Sequence, residues 1–332
     1  MTPDADPWLV ADLGGTNVRF ALADPGSPGV LREDSIRAYK VDAFDTLAEA
    51  AHAYGETAGG LPSQAVLAAA GPVTDDGVQL TNHPWQLNRQ ALQTELRLKR
   101  LALVNDFAAL AACVPLLAPA QLRALPGPAL TDASAAPRMH LVLGPGTGLG
   151  VAGLRLENGR SLVLQTEAGH AGMAPTDELE IDLLQRLSRR FGRVSHERLL
   201  CGPGLQNLHA ALCERASLAP LASAPTPESI VRHALDGSDP LCALAVERFC
   251  LLLAGVAGDL ALSLGAWDGV YFAGSLLQSL QPWLDAPAFR QRFEAKGRLR
   301  ATVERVPLVQ ILHPEAGLLG AAAWARERAR AA

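Results

Sequence analysis

Three glycine turns, each closing an apolar strand-like run, are the first places where this chain could do chemistry: Asp12-Leu13-Gly14-Gly15-Thr16-Asn17, Gly144-Pro145-Gly146-Thr147-Gly148-Leu149-Gly150 and Ala273-Gly274-Ser275. A turn free of large side chains lets backbone N–H groups and hydroxyls approach phosphate oxygens closely. The spacing excludes two common phosphate-binding designs. A dinucleotide fingerprint needs G-x-G-x-x-G opening a helix. Here Leu149 stands where the third glycine would fall, and the run continues into strand-like Val151-Ala152. A Walker loop needs Gly-Lys-Ser/Thr, which follows none of the turns.

Polar groups suited to binding or proton transfer lie between these turns. Asn105-Asp106 ends the strand-like Leu101–Val104, which sets a carboxylate at the carboxyl edge of a sheet, where α/β folds build sites. The same pair would serve equally as a helix cap. Glu167-Ala168-Gly169-His170 places two large polar side chains among small residues, reachable from a cleft, although a solvated loop would look the same. Glu197 follows Ser195, an N-cap residue type, in a segment Ser195–Leu200 that reads as helical. A favourable interaction with that helix's dipole accounts for Glu197 as well as a ligand role does. The loop Thr81-Asn82-His83-Pro84-Trp85 adds amide, imidazole and indole groups.

The elements that must hold these groups alternate between strand and helix, which means a layered α/β protein. Residues 8–22 read as strand, turn and strand, with Val18, Phe20 and Leu22 on one face, followed by turn residues 24–29 of a hairpin connection. Helices are expected at Thr46–Thr57, Asn88–Leu98, Glu178–Phe191, 239–264 and Gly317–Arg330, and further strands at Ala65–Ala70, 139–143, Gly269–Ala273 and Val306–Leu312. Laying Thr16 on Thr147 sets Leu9-Val10 on His140-Leu141 and Val18–Leu22 on Leu149–Gly153, a faint internal duplication. The Ala/Pro-rich stretch near 117–137 is the best crossing point between two domains.

Composition narrows the class. The 332 residues are 49% hydrophobic and 19% charged, with only 5% aromatic, so a packed core must rest mainly on Ala, Leu and Val. A net charge of −5 offers no basic stripe, so nucleic acid is not an expected partner. Five cysteines without a CxxC pair read as reduced, mostly buried thiols. The start, Met1–Pro7, lacks a basic region leading into an apolar stretch, so no secretory leader is expected. The most apolar stretch, Phe249–Trp267, is broken by Asp259 and carries glycines, which suits a core helix better than a membrane span. A cytoplasmic protein without a membrane partner is the expectation.

Taken together, DLGGTN, TNHPW, NDF, GPGTGLG, E-x-G-H, SHERLLCGPGL and FAGS occur in an order and spacing that resembles bacterial glucokinases of the hexokinase type, from about residue 8 to about residue 325. The resemblance implies an actin-like ATPase (ribonuclease H-like) α/β fold. Residues 1–116 plus 313–332 would form a small domain and 117–312 a large one, with a cleft between them. It also implies ATP-dependent phosphorylation of glucose at the 6-hydroxyl, the first step of glycolysis, with ATP and Mg²⁺ as cofactors and a homodimer as the assembly. By the same resemblance Asp106 is the catalytic base, Asn105 a sugar ligand, and Glu167, His170 and Glu197 the clamp on the rest of the ring. Asp12, Gly14, Gly15, Thr16, Asn17, Gly146, Thr147 and Gly148 form the nucleotide turns, Gly274 and Ser275 the nucleotide wall, and Asp12 the outer-shell carboxylate for Mg²⁺. Two positions depart from the family: Ala168 and Ser275 each replace a usual glycine. The zinc-binding cysteine cluster of a related sugar-kinase branch has no counterpart in the sequence. A kinase of another hexose, a sugar-sensing regulator and a filament-forming actin-like protein are the competing readings.

Overall fold

The computed structural model describes residues 6–27, 29–80, 85–130, 137–218 and 223–330, in two compact units, Met1–Gln121 with His313–Ala332 and Leu122–Leu312. The first unit opens with an antiparallel meander, β1 (Trp8–Leu13), β2 (Asn17–Ala23) and β3 (Leu31–Lys40). Helix α1 (Leu47–Ala58) leads to β4 (Gln64–Ala69), then a short ribbon of β5 (Gly77–Val78) and β6 (Leu87–Asn88), α2 (Arg89–Glu95), β7 (Arg100–Asn105) and α3 (Asp106–Cys113). The sheet order is β3-β2-β1-β4-β7, with β1, β4 and β7 parallel.

Sequence explains that order. β1 and β4 are apolar on nearly every residue, as strands covered on both faces must be, whereas β3 carries Arg32, Glu33, Asp34 and Arg37 and lies at the edge. Leu9, Ala11 and Leu13 join Val18, Phe20, Leu22 and Tyr54 of α1 in one buried cluster, and the Phe20 and Tyr54 rings stack at 5.5 Å. The alternate residues face the other way, which brings Asp12 to the start of the C-terminal helix Ala316–Arg330. That helix packs on α3, β1 and β4, and the Trp324 indole donates to the Ala108 carbonyl at 3.3 Å.

The second unit repeats the plan. Its strands are β8 (Leu122–Ala124), β9 (Arg138–Pro145), β10 (Leu149–Glu157), β11 (Arg160–Thr166), β12 (Gly269–Phe272) and β13 (Leu308–Ile311), in the order β11-β10-β9-β12-β13-β8. Two hairpins join β9, β10 and β11, and β9, β12 and β13 run parallel, as β1, β4 and β7 do. Helices α4 (Glu178–Phe191), α5 (Gly202–Arg215), α6 (Pro227–Asp236) and α7 (Pro240–Leu264) fall between β11 and β12. α7 is long and apolar enough to cross a membrane by composition, but 67% of its most apolar stretch is buried inside the unit. Its Asp259 is satisfied by Lys296 Nζ at 2.7 Å. It is a core helix wrapped by α5, α6 and the helix Pro287–Glu294.

Two expectations change, and four elements join those expected. The helix expected over Asn88–Leu98 begins after Asn88, its N-cap, and stops at Glu95, because Arg97 takes a left-handed φ of 53°. Ser195–Leu200 is a turn rather than a helix. The His196 and Glu197 amides donate to Ala171 O and Gly169 O, both at 2.9 Å, so they are spent on the neighbouring segment instead of a helical ladder. The edge strand β3 emerges from polar sequence without clean alternation, and the edge strand β11 turns Leu162 and Leu164 outward, so burial does not mark either one. Helices α5 and α6 are additions to the expected set; α6 buries Ile230, Val231 and Ala234 on one face, and α5 buries Leu205, Leu208 and Leu212.

Candidate active site

In the first unit the parallel strand β7 delivers Asn105 and Asp106 to its carboxyl end. Asn105 is the N-cap of α3: its Oδ1 accepts from Phe107 N at 2.9 Å and Ala108 N at 3.1 Å. Its Nδ2 donates to Gly71 O at 3.3 Å. The capping role is therefore real, and it leaves Asn105 one amide N–H for any ligand. Asp106 opens the helix, with Oδ1 accepting from Phe107 N at 2.9 Å. Both side chains are half-buried, held at a helix N-terminus that favours negative charge.

The first glycine turn closes on Gly14 N donating to Asn17 O at 3.0 Å, and Thr16 O accepts from Val41 N at 3.1 Å. Gly14, Gly15 and Thr16 are exposed. Just behind them, Asp12 Oδ2 lies 3.7 Å from Arg19 Nη1, and Arg19 Nε lies 3.4 Å from Glu315 Oε2. Burial raises the Asp12 carboxyl above its ordinary range, Arg19 pulls it back, and Glu315 pushes it further up. Gly317 abuts Asp12 so closely that a Cβ there would stand 2.5 Å from Oδ2. Glu315 Oε2 is buried without a hydrogen-bond partner among the described residues. Two carboxylates, one with an under-satisfied oxygen, make the hard-oxygen set that hydrated Mg²⁺ takes, so the residues present fit that ion.

In the second unit the turn and the clamp residues come together. Gly146 N donates to Gly148 O at 2.7 Å, and Gly202 N, at the start of α5, donates to Gly146 O at 2.9 Å. Glu197 Oε2 accepts from Leu149 N at 3.0 Å, while Oε1 lies 3.8 Å from His170 Nδ1. The Glu197 carboxylate fills the space a side chain at Gly148 would need. His170 N donates to Glu167 O at 2.9 Å, closing the turn Ala168–His170. Glu167 and His170 are exposed, and Ala168 rests its methyl against the core. Gly274, with φ 119°, passes against Pro145 O, and Gly274 and Ser275 both stand exposed at the end of β12. Thr81–Pro84 lie outside the described residues; Trp85 beside them is buried, its indole donating to Phe44 O at 3.1 Å.

Sequence reasoning missed three participants. Arg19 and Glu315 join Asp12, and the run His313-Pro314-Glu315-Ala316-Gly317 before the closing helix is the signal that could have found them. Glu180 is fully buried, accepting from Thr176 N at 2.7 Å and from Arg292 Nη2 at 2.7 and 2.8 Å, and so anchors the segment that follows the clamp turn. Nothing local marks it, since its arginine lies in a distant helix.

The family model described as Glucokinase matches residues 9–328. A glucokinase of Stenotrophomonas maltophilia (strain K279a) is 45% identical over 331 residues, 99% of this chain and 98% of that one. Among solved structures, a glucokinase from an Antarctic psychrotroph superposes with a TM-score of 0.82 at 32% identity, covering 96% of this chain and 98% of the other. A ROK family glucokinase from Streptomyces griseus, in complex with glucose and AMPPNP, shares the fold at a TM-score of 0.63 and 18% identity, covering 97% and 99%. The repeated hairpin-plus-parallel-strand sheets are the actin-like ATPase fold of those neighbours. With the match spanning the turns, the clamp and both sheets, the chain belongs to the glucokinase family.

Proposed function

We propose that Asp106 is the base in this family's reaction, the ATP-dependent phosphorylation of glucose. Its carboxylate takes the proton of the sugar's 6-hydroxyl as that oxygen attacks the γ-phosphate of ATP. Phosphoryl transfer needs an oriented acceptor, charge neutralisation and exclusion of water. Asn105 offers its remaining amide N–H to a sugar hydroxyl, and Glu167, His170 and Glu197 supply carboxylate and imidazole partners for the others. The turns Gly14–Asn17 and Gly146–Gly148 hold phosphate oxygens through backbone N–H groups other than those of Gly14 and Gly146, which close the turns, with Gly274 and Ser275 beside the nucleoside. Mg²⁺, arriving with ATP, supplies charge neutralisation at the phosphates, and Asp12 with Glu315 would hold its water shell.

The observation that carries this reading is the bond from Leu149 N to Glu197 Oε2, which ties a sugar-type carboxylate to a phosphate-type turn. An ADP-release assay across glucose, mannose, fructose and galactose tests it. Glucose is expected to be the best substrate, and Glu167→Gln to raise its KM and lower turnover. An unchanged KM and turnover would remove Glu167 from the clamp, and equal rates on every hexose would remove the glucose assignment. The same reading places the enzyme in the cytoplasm, where its substrates meet, as a homodimer that light scattering would detect.

A further inference from the structure

A second constellation of ligand atoms lies in the second unit, on the side of α5 away from its Gly202 end. His209 and Cys213 sit one turn apart on α5, and Asp239 and Cys242 sit at the start of α7. Ligand atoms of His209, Asp239 and Cys242 all lie within 4.8 Å of one another. Cys213 Sγ stands outside that group of three but beside its imidazole, 3.7 Å from His209 Nε2 and 3.9 Å from Nδ1. We propose that these four residues form a closed, tetrahedral site for a divalent zinc-class ion that clamps α5 to α7.

The chemistry of the donors selects the ion. Two sulfurs, an imidazole and a carboxylate suit zinc and disfavour Mg²⁺ or Ca²⁺, which take oxygen. Bonds of about 2.0–2.3 Å hold tetrahedral ligands roughly 3.5 Å apart, so closure draws the three grouped atoms together and turns Cys213 Sγ, already beside the imidazole, into the fourth position. Four protein ligands and no open position mark a structural rather than a catalytic site. Helix capping and a hydrogen bond to Cys242 account for Asp239, but not for His209. His209 is 3% exposed, and its ring nitrogens meet a thiol at long range rather than a full hydrogen-bond partner among the described residues. An imidazole buried that way is costly. Asp239 Oδ1 accepts from Leu241 N at 2.8 Å and Cys242 N at 3.3 Å, which fixes the carboxylate before any ion arrives. Cys213 and Asp239 are only half-buried, which gives an entry path.

Metal entry exchanges each thiol S–H for an S–metal bond and releases two protons per ion. The test titrates the full chain, reduced and stripped with a chelator, with Co²⁺ and separately with Zn²⁺. One saturating equivalent of Co²⁺, a tetrahedral spectrum with thiolate-to-cobalt charge transfer, and about two protons released per ion are expected. With Zn²⁺ bound, Cys213, the one of the five free thiols that is not buried, should be shielded from a thiol reagent. Cys213→Ser, at a half-buried position that tolerates the change, should weaken Co²⁺ binding more than about tenfold and reduce the charge-transfer band. Cys113→Ser, in the other unit, should change neither. Absence of saturable binding by the folded wild-type chain, or an octahedral spectrum without charge transfer, would overturn the site.

Discussion

The two glycine turns occupy the same place in two sheets of like order, yet they are built for different work. The first is open: a methyl added at Gly15 would meet nothing within 4 Å, and a carboxylate with its arginine stands behind it. The second is braced, with Glu197 against Gly148, Gly202 N on Gly146 O, and the clamp turn bonded to the same segment. One duplicated frame thus offers one turn open to solvent and one turn coupled to the groups proposed to hold a hydroxylated substrate. Duplication supplies the geometry, and the side chains behind each turn divide the labour.

The bracing predicts unequal sensitivity. Glu180→Ala removes a fully buried carboxylate from the partly exposed Arg292, so the second unit should lose about 3 kcal/mol, the low end for breaking a buried pair, read as a lower urea midpoint. A loss under about 1 kcal/mol would show that the segment behind the clamp does not depend on that pair. His140 sharpens the contrast in another way, because the frame places it where the first sheet has Leu9. Burial lowers the His140 imidazole to about 4, against the opposing pull of Asp268. The unfolded chain binds that proton from about pH 6.5 while the folded one does not, so stability falls as the pH drops from about 6.5 to about 4. The full effect is about 3 kcal/mol, and His140→Leu should remove that slope in melts across the range. A slope unchanged in the variant would assign it to other groups.

A smaller but more telling pair compares the turns directly. Gly148→Ala must displace the Glu197 carboxylate, and a misplacement of about 1 Å costs on the order of a hundredfold in kcat/KM for glucose. Gly15→Ala should leave the melting curve within about 0.5 kcal/mol of wild type and act only through a raised KM for ATP. Equal effects of the two on glucose kinetics would erase the distinction between an open and a braced turn.

Much of this was legible in the sequence for a physical reason. Turns and strand-end carboxylates are local: Asp12–Asn17, Gly144–Gly150 and Asn105-Asp106 carry their geometry in a few consecutive residues. Edge strands such as β3 and β11 lack a buried face, so no alternation announces them. Ser195–Leu200 reads as helical until the Gly169 and Ala171 carbonyls claim two of its amides. Pairings across long separations leave no trace at all, as with Glu180 and Arg292, 112 residues apart. Arg19 and Glu315, and the His209 group, meet only when distant elements pack.

The central claim is tested most directly by Asp106→Asn, measured as single-turnover phosphorylation of glucose with glucose affinity determined separately by fluorescence. Loss of a general base predicts a fall of about 10²–10⁴-fold in the transfer rate, with glucose affinity within a few-fold of wild type. A rate within tenfold of wild type would contradict the account.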